Sequence, residues 1–259
     1  MKTNRRTGAA KHSFAAPFLR RITSLPEKTD SSKYPFNIPA FSRGIDLAFR
    51  SKVAFFVGEN GSGKSTLLEA VAECCGFNPE GGNRDHQRAV FADRSPLAQA
   101  LRLSWLPKVT DGFFMRAESF YNFASYIEEV SDLRAYGGRS LHAQSHGESF
   151  LSLFANRFEH GLYILDEPEA ALSPQRQLTF LRVIHDLTRP GHAQFLIATH
   201  SPIILSYPNA VLFSLDGDTI QEIEFRETKH FLITRDFLNS PERFFKHLFE
   251  TPEDSGTDG

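Results

Sequence analysis

The chain has 259 residues, 41% of them hydrophobic, 23% charged and 12% aromatic, and 29 basic against 31 acidic side chains leave a formal charge of −2. That length buries one full core and the composition is that of a globular protein, which excludes a disordered or fibrous chain; near-neutrality gives no global electrostatic case for nucleic acid or an anionic membrane. No apolar run approaches the roughly 20 residues that span a bilayer, and the two cysteines, Cys74 and Cys75, are adjacent, which is neither a disulfide framework nor metal-ligand spacing and fits a reducing, cytoplasmic setting.

Residues 1–17 include Lys2, Arg5, Arg6 and Lys11 without the apolar stretch of a secretory signal, and read as a flexible basic tail. Runs with strand character follow at 18–22, 34–38, 45–49 and 52–57, separated by turn-prone residues. The first three predict an antiparallel β layer. The fourth predicts a strand covered on both faces, because Val53 to Val57 is apolar throughout rather than alternating. Leu67, Leu68, Val71 and Ala72 then recur at helical spacing and predict a helix over 65–75, with Gly76 as its stop.

Gly, Asn, Asp and Arg dominate 78–96 and predict an exposed loop; 101–116 predicts two strands around Pro107 and Asp111-Gly112, and a helix is expected over 120–130. After Gly137-Gly138 a second amphipathic helix is expected from Ser149. A buried strand at 162–165, a helix over 174–187 with proline in its first turn, and a buried strand at 195–198 complete an alternating α/β pattern. A hairpin over 210–225 closed around Asp216-Gly217-Asp218, helices near 229–239 and 242–250, and a disordered tail over 251–259 end the chain.

Two motifs carry chemistry. Gly58-Glu59-Asn60-Gly61-Ser62-Gly63-Lys64-Ser65 stands between the apolar strand and the helix and fits the Walker A pattern. Its glycines let successive N–H groups wrap phosphates in front of the positive end of a helix; Lys64 would neutralise the β- and γ-phosphates of ATP and Ser65 would ligate Mg2+, with Thr66 following as the helix-start residue. Leu162-Tyr-Ile-Leu-Asp166-Glu167 is an apolar strand that delivers two carboxylates at its C-terminal end, the Walker B pattern. Asp166 is expected to hold Mg2+ and Glu167 to orient or deprotonate the attacking water.

With these in place the chain resembles the ATP-binding-cassette (ABC) ATPases. Ser145-His146-Gly147-Glu148 stands 21 residues before Asp166, where that family carries a signature of Ser-Gly-Gly-Gln type, here with His146 and Glu148 as departures. The segment 167–173 resembles the D-loop, with Ser173 in place of its usual Asp, and His200, 33 residues after Glu167, matches the switch histidine. The resemblance implies a P-loop nucleotide-binding domain over 18–250 with a helical signature lobe at about 118–160. It also implies ATP and Mg2+ as ligands, and a head-to-tail homodimer in which Ser145, Gly147 and Glu148 of one subunit close over ATP bound by the other. His200 would then sense the γ-phosphate.

Glu118 stands near the glutamine-loop position as a candidate metal-water ligand, with Gln99 or a plain surface carboxylate as alternatives. Tyr34 or Phe36 could stack on adenine, or both could be core aromatics. The 81 residues from Lys64 to Ser145 are too few for a long coiled coil. The segments 56–64, 116–119 and 198–202 look more like standalone ATPases allied to RecF and SMC heads than like transporter cassettes. That likeness implies a role in DNA maintenance or defence, with DNA as a partner; the alternatives are the ATPase subunit of a membrane transporter, with a protein or membrane partner, and a weakly hydrolysing ATP-gated module.

Overall fold

The computed structural model describes residues 15–78, 94–116 and 160–249. Two sheets organise them. A six-stranded sheet runs β5 (Gly112–Arg116), β6 (Gly161–Asp166), β7 (Ala193–Ala198), β3 (Val53–Val57), β8 (Val211–Ser214) and β9 (Gln221–Ile223), parallel except for β9. A smaller antiparallel sheet has the order β2 (Asp46–Ala48), β1 (Leu19–Ser24), β4 (Leu101–Trp105). The fold is α/β with an antiparallel layer, as the sequence implies.

The central strands are apolar throughout because both faces are covered. In β3, Ala54 and Phe56 face a core shared with α1 (Lys64–Cys75) and the small sheet, whereas Val53, Phe55 and Val57 face a second core under α3 (Pro174–Thr188). β7 divides likewise, Leu196 and Ala198 on one side and Phe195 and Ile197 on the other. Each such Phe, Ile or Leu contributes about 1.5–3 kcal/mol on burial, so the sheet holds the positions of its strand ends firmly.

α1 stops where expected: Gly76 takes φ 79° and its N–H reaches the Ala72 and Glu73 carbonyls. The short α2 (Pro96–Ala100) is capped by Ser95, whose side chain accepts from the Ala98 N–H. α4 (Pro202–Leu205) is capped in the same way by Ser201. The expected hairpin forms as β8 and β9, and α5 (Lys229–Asn239) and α6 (Pro241–Phe249) follow it.

The strand expected at 34–38 does not form. Pro35 and Pro39 remove ladder donors, and the segment turns into a short 3-10 helix at Pro39–Phe41. The third strand of the small sheet is β4 instead, drawn from 101–105. The buried side chain of Gln194 ties the two sheets together: its Oε1 accepts from the N–H groups of Phe18 (2.7 Å) and Leu19 (2.9 Å), and its Nε2 donates to the Leu19 carbonyl (3.0 Å). It serves β1 where the pairing with β4 is irregular.

Candidate nucleotide site

Sheet order, not sequence order, assembles the site. β7 lies between β3 and β6, so the loop after β3, the residues after β7 and the carboxylates ending β6 emerge side by side, about 4.8 Å apart per strand. The register is level: Phe56 pairs with Ala198, Ala198 with Asp166, and Asp166 with Arg116. This is the carboxyl edge of a parallel sheet, where ligands bind in open α/β folds.

The loop of Gly58, Glu59, Asn60, Gly61, Ser62 and Gly63 leads straight into α1. Gly63 sits at φ 101°, and a Cβ there would lie 2.8 Å from the Phe41 ring, so both conformation and space call for glycine. With no side chain capping α1, the first N–H groups of the helix face the loop, an arrangement that suits an anion. Lys64 is buried and its Nζ donates to the carbonyls of Gly58 (2.7 Å) and Glu59 (3.1 Å). Burial draws its pKa below the usual lysine value, while Glu167, Asp166, Asp216 and Glu169 act in the opposite direction. Ser65 and Thr66 open the helix, and the Thr66 hydroxyl lies 3.3 Å from that of Tyr34. Of the two aromatic candidates, Tyr34 is exposed at this mouth whereas Phe36 is core.

Asp166 is 4% exposed. Burial pushes its carboxyl up to about 6, against hydrogen bonding from Ser65 and the charge of Arg116, while Glu167 and Glu69 raise it further. Its Oδ1 is buried without a hydrogen-bond partner among the described residues. A buried carboxylate oxygen lacking a donor, beside a serine hydroxyl, fits a hard cation that accepts oxygen ligands. Arg116, whose Nε is 3.6 Å from Asp166 and whose guanidinium also meets Glu69 at 2.8 Å, puts positive charge against the same carboxylate.

Glu167 has a left-handed backbone, φ 51° and ψ 52°, a conformation that costs a non-glycine residue about 1–3 kcal/mol and concentrates at functional sites. Its carboxylate is half exposed and lies 3.5 Å from His200 Nε2, a buried nitrogen with no hydrogen-bond partner among the described residues. The two groups are close enough for one water beside them to contact both. Glu169 holds the backbone of this histidine: its carboxylate accepts from the His200 N–H (2.6 Å) and the Thr199 hydroxyl (2.7 Å). Ser173 is the N-cap residue of α3 but makes no side-chain cap.

The structure therefore brings together Lys64, Ser65, Asp166, Glu167 and His200. Glu118, Ser145, Gly147 and Glu148, with the expected signature lobe, lie outside the described residues. Gln99 is exposed on α2, and its amide donates to the Arg94 carbonyl rather than into this cluster. Sequence reasoning missed Glu169, Arg116, Asp216 and His230. Asp216 accepts from the Glu59 N–H (2.8 Å), and Lys229 reaches Glu59 and Asp216 at 3.8 and 3.6 Å. Only Glu169 had a local signal, a third acidic residue two positions after Glu167.

Fold and motifs together match those of ABC-class P-loop ATPases. Two family models match separate parts of the chain: "AAA domain, putative AbiEii toxin, Type IV TA system" over residues 141–206, and a second AAA domain over 36–102. Among curated proteins, the chain is 29% identical over 198 residues to the hemin import ATP-binding protein HmuV of Pseudomonas aeruginosa, covering 67% of this chain and 77% of that one. It is 26% identical over 214 residues to the ribose import ATP-binding protein RbsA of Burkholderia mallei, covering 72% of this chain but 41% of RbsA. Among solved structures, the SMC head domain of Thermotoga maritima aligns with TM-score 0.47 and 16% identity over 80% of this chain and 99% of that one. CbiO1 of Clostridium perfringens, part of the ABC transporter complex cbiONQ, aligns with 0.49 and 16% over 90% and 100%.

The fold, the motifs and the relatives' sequences are those of ATP-binding ABC-type ATPases, the class that this chain resembles. Among the described residues, no helix is long and apolar enough to cross a membrane.

Proposed function

We propose that the protein hydrolyses Mg-ATP at this site and that ATP closes two copies head to tail. The observation that carries the reading is the level row at the sheet edge, which sets Lys64, Asp166 and Glu167 around one volume in front of α1. Backbone N–H groups of 58–65 would bind the phosphates, and Lys64 would exchange its two loop carbonyls for phosphate oxygens. Ser65 and Asp166 would hold Mg2+, which when bound neutralises charge on the β- and γ-oxygens. Glu167 would accept a proton from the attacking water, and His200 Nε2 would donate a hydrogen bond to the γ-phosphate beside it. Glu118 is assigned to the same metal-water set. Tyr34 is the aromatic we assign to adenine.

The tests separate binding from chemistry. Lys64→Ala should abolish ATP binding, whereas Glu167→Gln should keep ATP, lose turnover and trap a dimer by light scattering. Parental turnover in Glu167→Gln would refute the assignment of the base. Ser145→Arg should block turnover and leave ATP binding intact, since Ser145 acts on the other subunit's nucleotide.

For the cellular role, we favour an ATP-gated clamp or switch in DNA maintenance or defence. The resemblance at 56–64 and 198–202 to RecF-like and SMC-like ATPases and the description of the family matching 141–206 support it. A second reading, the cytoplasmic ATPase subunit of a membrane importer, is favoured by the likeness to HmuV and RbsA. Turnover measured with and without double-stranded DNA, alongside co-sedimentation with membranes, separates them. DNA stimulation supports the first, and membrane retention with a DNA-indifferent rate supports the second.

A further inference from the structure

His230, on the first turn of α5, belongs to no motif, yet its ring meets that of His200. His230 Nε2 lies 2.8 Å from His200 Nδ1, and the ring centroids are 4.9 Å apart. The placement is braced from several sides. Thr228, 1% exposed, caps α5 by accepting from the Phe231 N–H at 3.3 Å, and Phe225 packs against Phe231 with ring centroids 4.7 Å apart. Lys229, one residue before His230, faces Glu59 and Asp216. Those two ion pairs stabilise little; α5 also packs against α4, and the imidazole pair is its direct hydrogen-bonded contact with His200.

The direction of the hydrogen bond follows from what faces the other side of His200. Its Nε2 is 3.5 Å from a Glu167 carboxylate oxygen, which can only accept. A lone pair at Nε2 would face that negative charge, so the proton belongs on Nε2. Nδ1 then carries the lone pair and requires a donor. His230 Nε2 is the nitrogen at hydrogen-bonding distance. Burial, chiefly, and the neighbouring His200 hold the His230 pKa below its usual value, which favours a neutral ring, and the 2.8 Å contact with the His200 lone pair calls for the single proton of that ring on Nε2.

We propose that His230 is a positioning residue: its Nε2–H, donated to His200 Nδ1, fixes the rotation and tautomer of His200 so that Nε2–H points to Glu167 and the γ-phosphate position. This rests on the assignment of His200 to the hydrolytic site. It also makes α5, and α6 after it, the elements that any movement of His200 must displace.

The test compares His230→Phe, which keeps a ring without a donor, with His230→Gln, which keeps an N–H donor. Turnover should fall about 10- to 100-fold in His230→Phe, by analogy with loss of the partner that orients a metal-ligating imidazole, with ATP affinity within about twofold of the parent. His230→Gln should recover a substantial part of kcat, and circular dichroism melts identify any variant that fails to fold. A measurement independent of turnover is the scalar coupling between His230 Nε2 and His200 Nδ1 across the hydrogen bond in 15N spectra, assigned with the His200→Gln and His230→Gln proteins. Turnover within about twofold of the parent in folded His230→Phe, a His230→Gln no better than His230→Phe, or absence of the coupling overturns the proposal. Glu167→Gln is run alongside: if it alone behaves like the parent, the assignment of the base fails, whereas loss of its turnover beside a fully active His230→Phe refutes the positioning role.

Discussion

Removing the Glu169 carboxylate should unfasten the backbone that carries His200. Glu169→Ala takes away the acceptor of the His200 N–H at 2.6 Å and of the hydroxyl of Thr199, which is fully buried. The same hydroxyl accepts from the Ser201 N–H at 3.1 Å, so the loss passes on to the cap of α4. Hydrogen bonds to a charged group contribute about 1.5–3 kcal/mol each, and the two donors would be left unpaired. Burial pushes the Glu169 pKa up, which means that holding the ionised carboxylate there carries a desolvation cost that the alanine variant no longer bears. The net destabilisation is therefore placed at about 2–4 kcal/mol. With a urea m-value of about 3 kcal/mol/M, the unfolding midpoint should fall by about 1 M. Thr199→Val removes the donor to Glu169 and the acceptor of the Ser201 N–H and should cost about 2 kcal/mol, and a double-mutant cycle with Glu169→Ala should give a coupling of about 1 kcal/mol. A midpoint unchanged in Glu169→Ala, or strict additivity with Thr199→Val, would refute the reasoning.

Gln194→Leu should lower stability by about 3–5 kcal/mol in the same urea assay, because two buried N–H groups and one carbonyl of Phe18 and Leu19 lose their partner; a loss under about 1 kcal/mol would mean that β1 is held by other contacts. Gly112→Ala should lower the thermal midpoint by about 5–10 °C, since Gly112 has φ 147° and a Cβ would overlap the Leu162 carbonyl oxygen in the paired strand. The thiols should be inert in the folded protein. Burial pushes the Cys74 pKa up to about 11 from the usual 9.0, about a 100-fold smaller thiolate fraction near pH 8, and Cys75 is buried, so a disulfide reagent should titrate two thiols quickly only after denaturant is added.

The local code of this chain was legible in its residues. Glycines at fixed spacing before Lys64 and Ser65, the uniformly apolar runs at 53–57, 162–165 and 195–198, and the periodicity of 65–75 and 174–187 act over a few residues. Each has a physical signature there: positive φ, burial on both faces, or one apolar stripe. The resemblance to ABC ATPases rested on the same short segments. At 34–38 the prolines outweighed the apolar pattern, an outcome that lost ladder donors explain in hindsight.

Only the tertiary structure decided which of these pieces meet. The order β6-β7-β3 places Asp166, His200 and the 58–65 loop next to one another, although strand order is set by long-range pairing that leaves no local trace. The partners that hold the site follow the same rule. Gln194 on β1, Asp216 on Glu59, Arg116 on Asp166 and His230 on His200 are single polar side chains meeting targets tens of residues or more away. A lone polar residue carries no periodicity and no cap or turn geometry of its own. Its partner exists only once the sheet has brought two distant strand ends together.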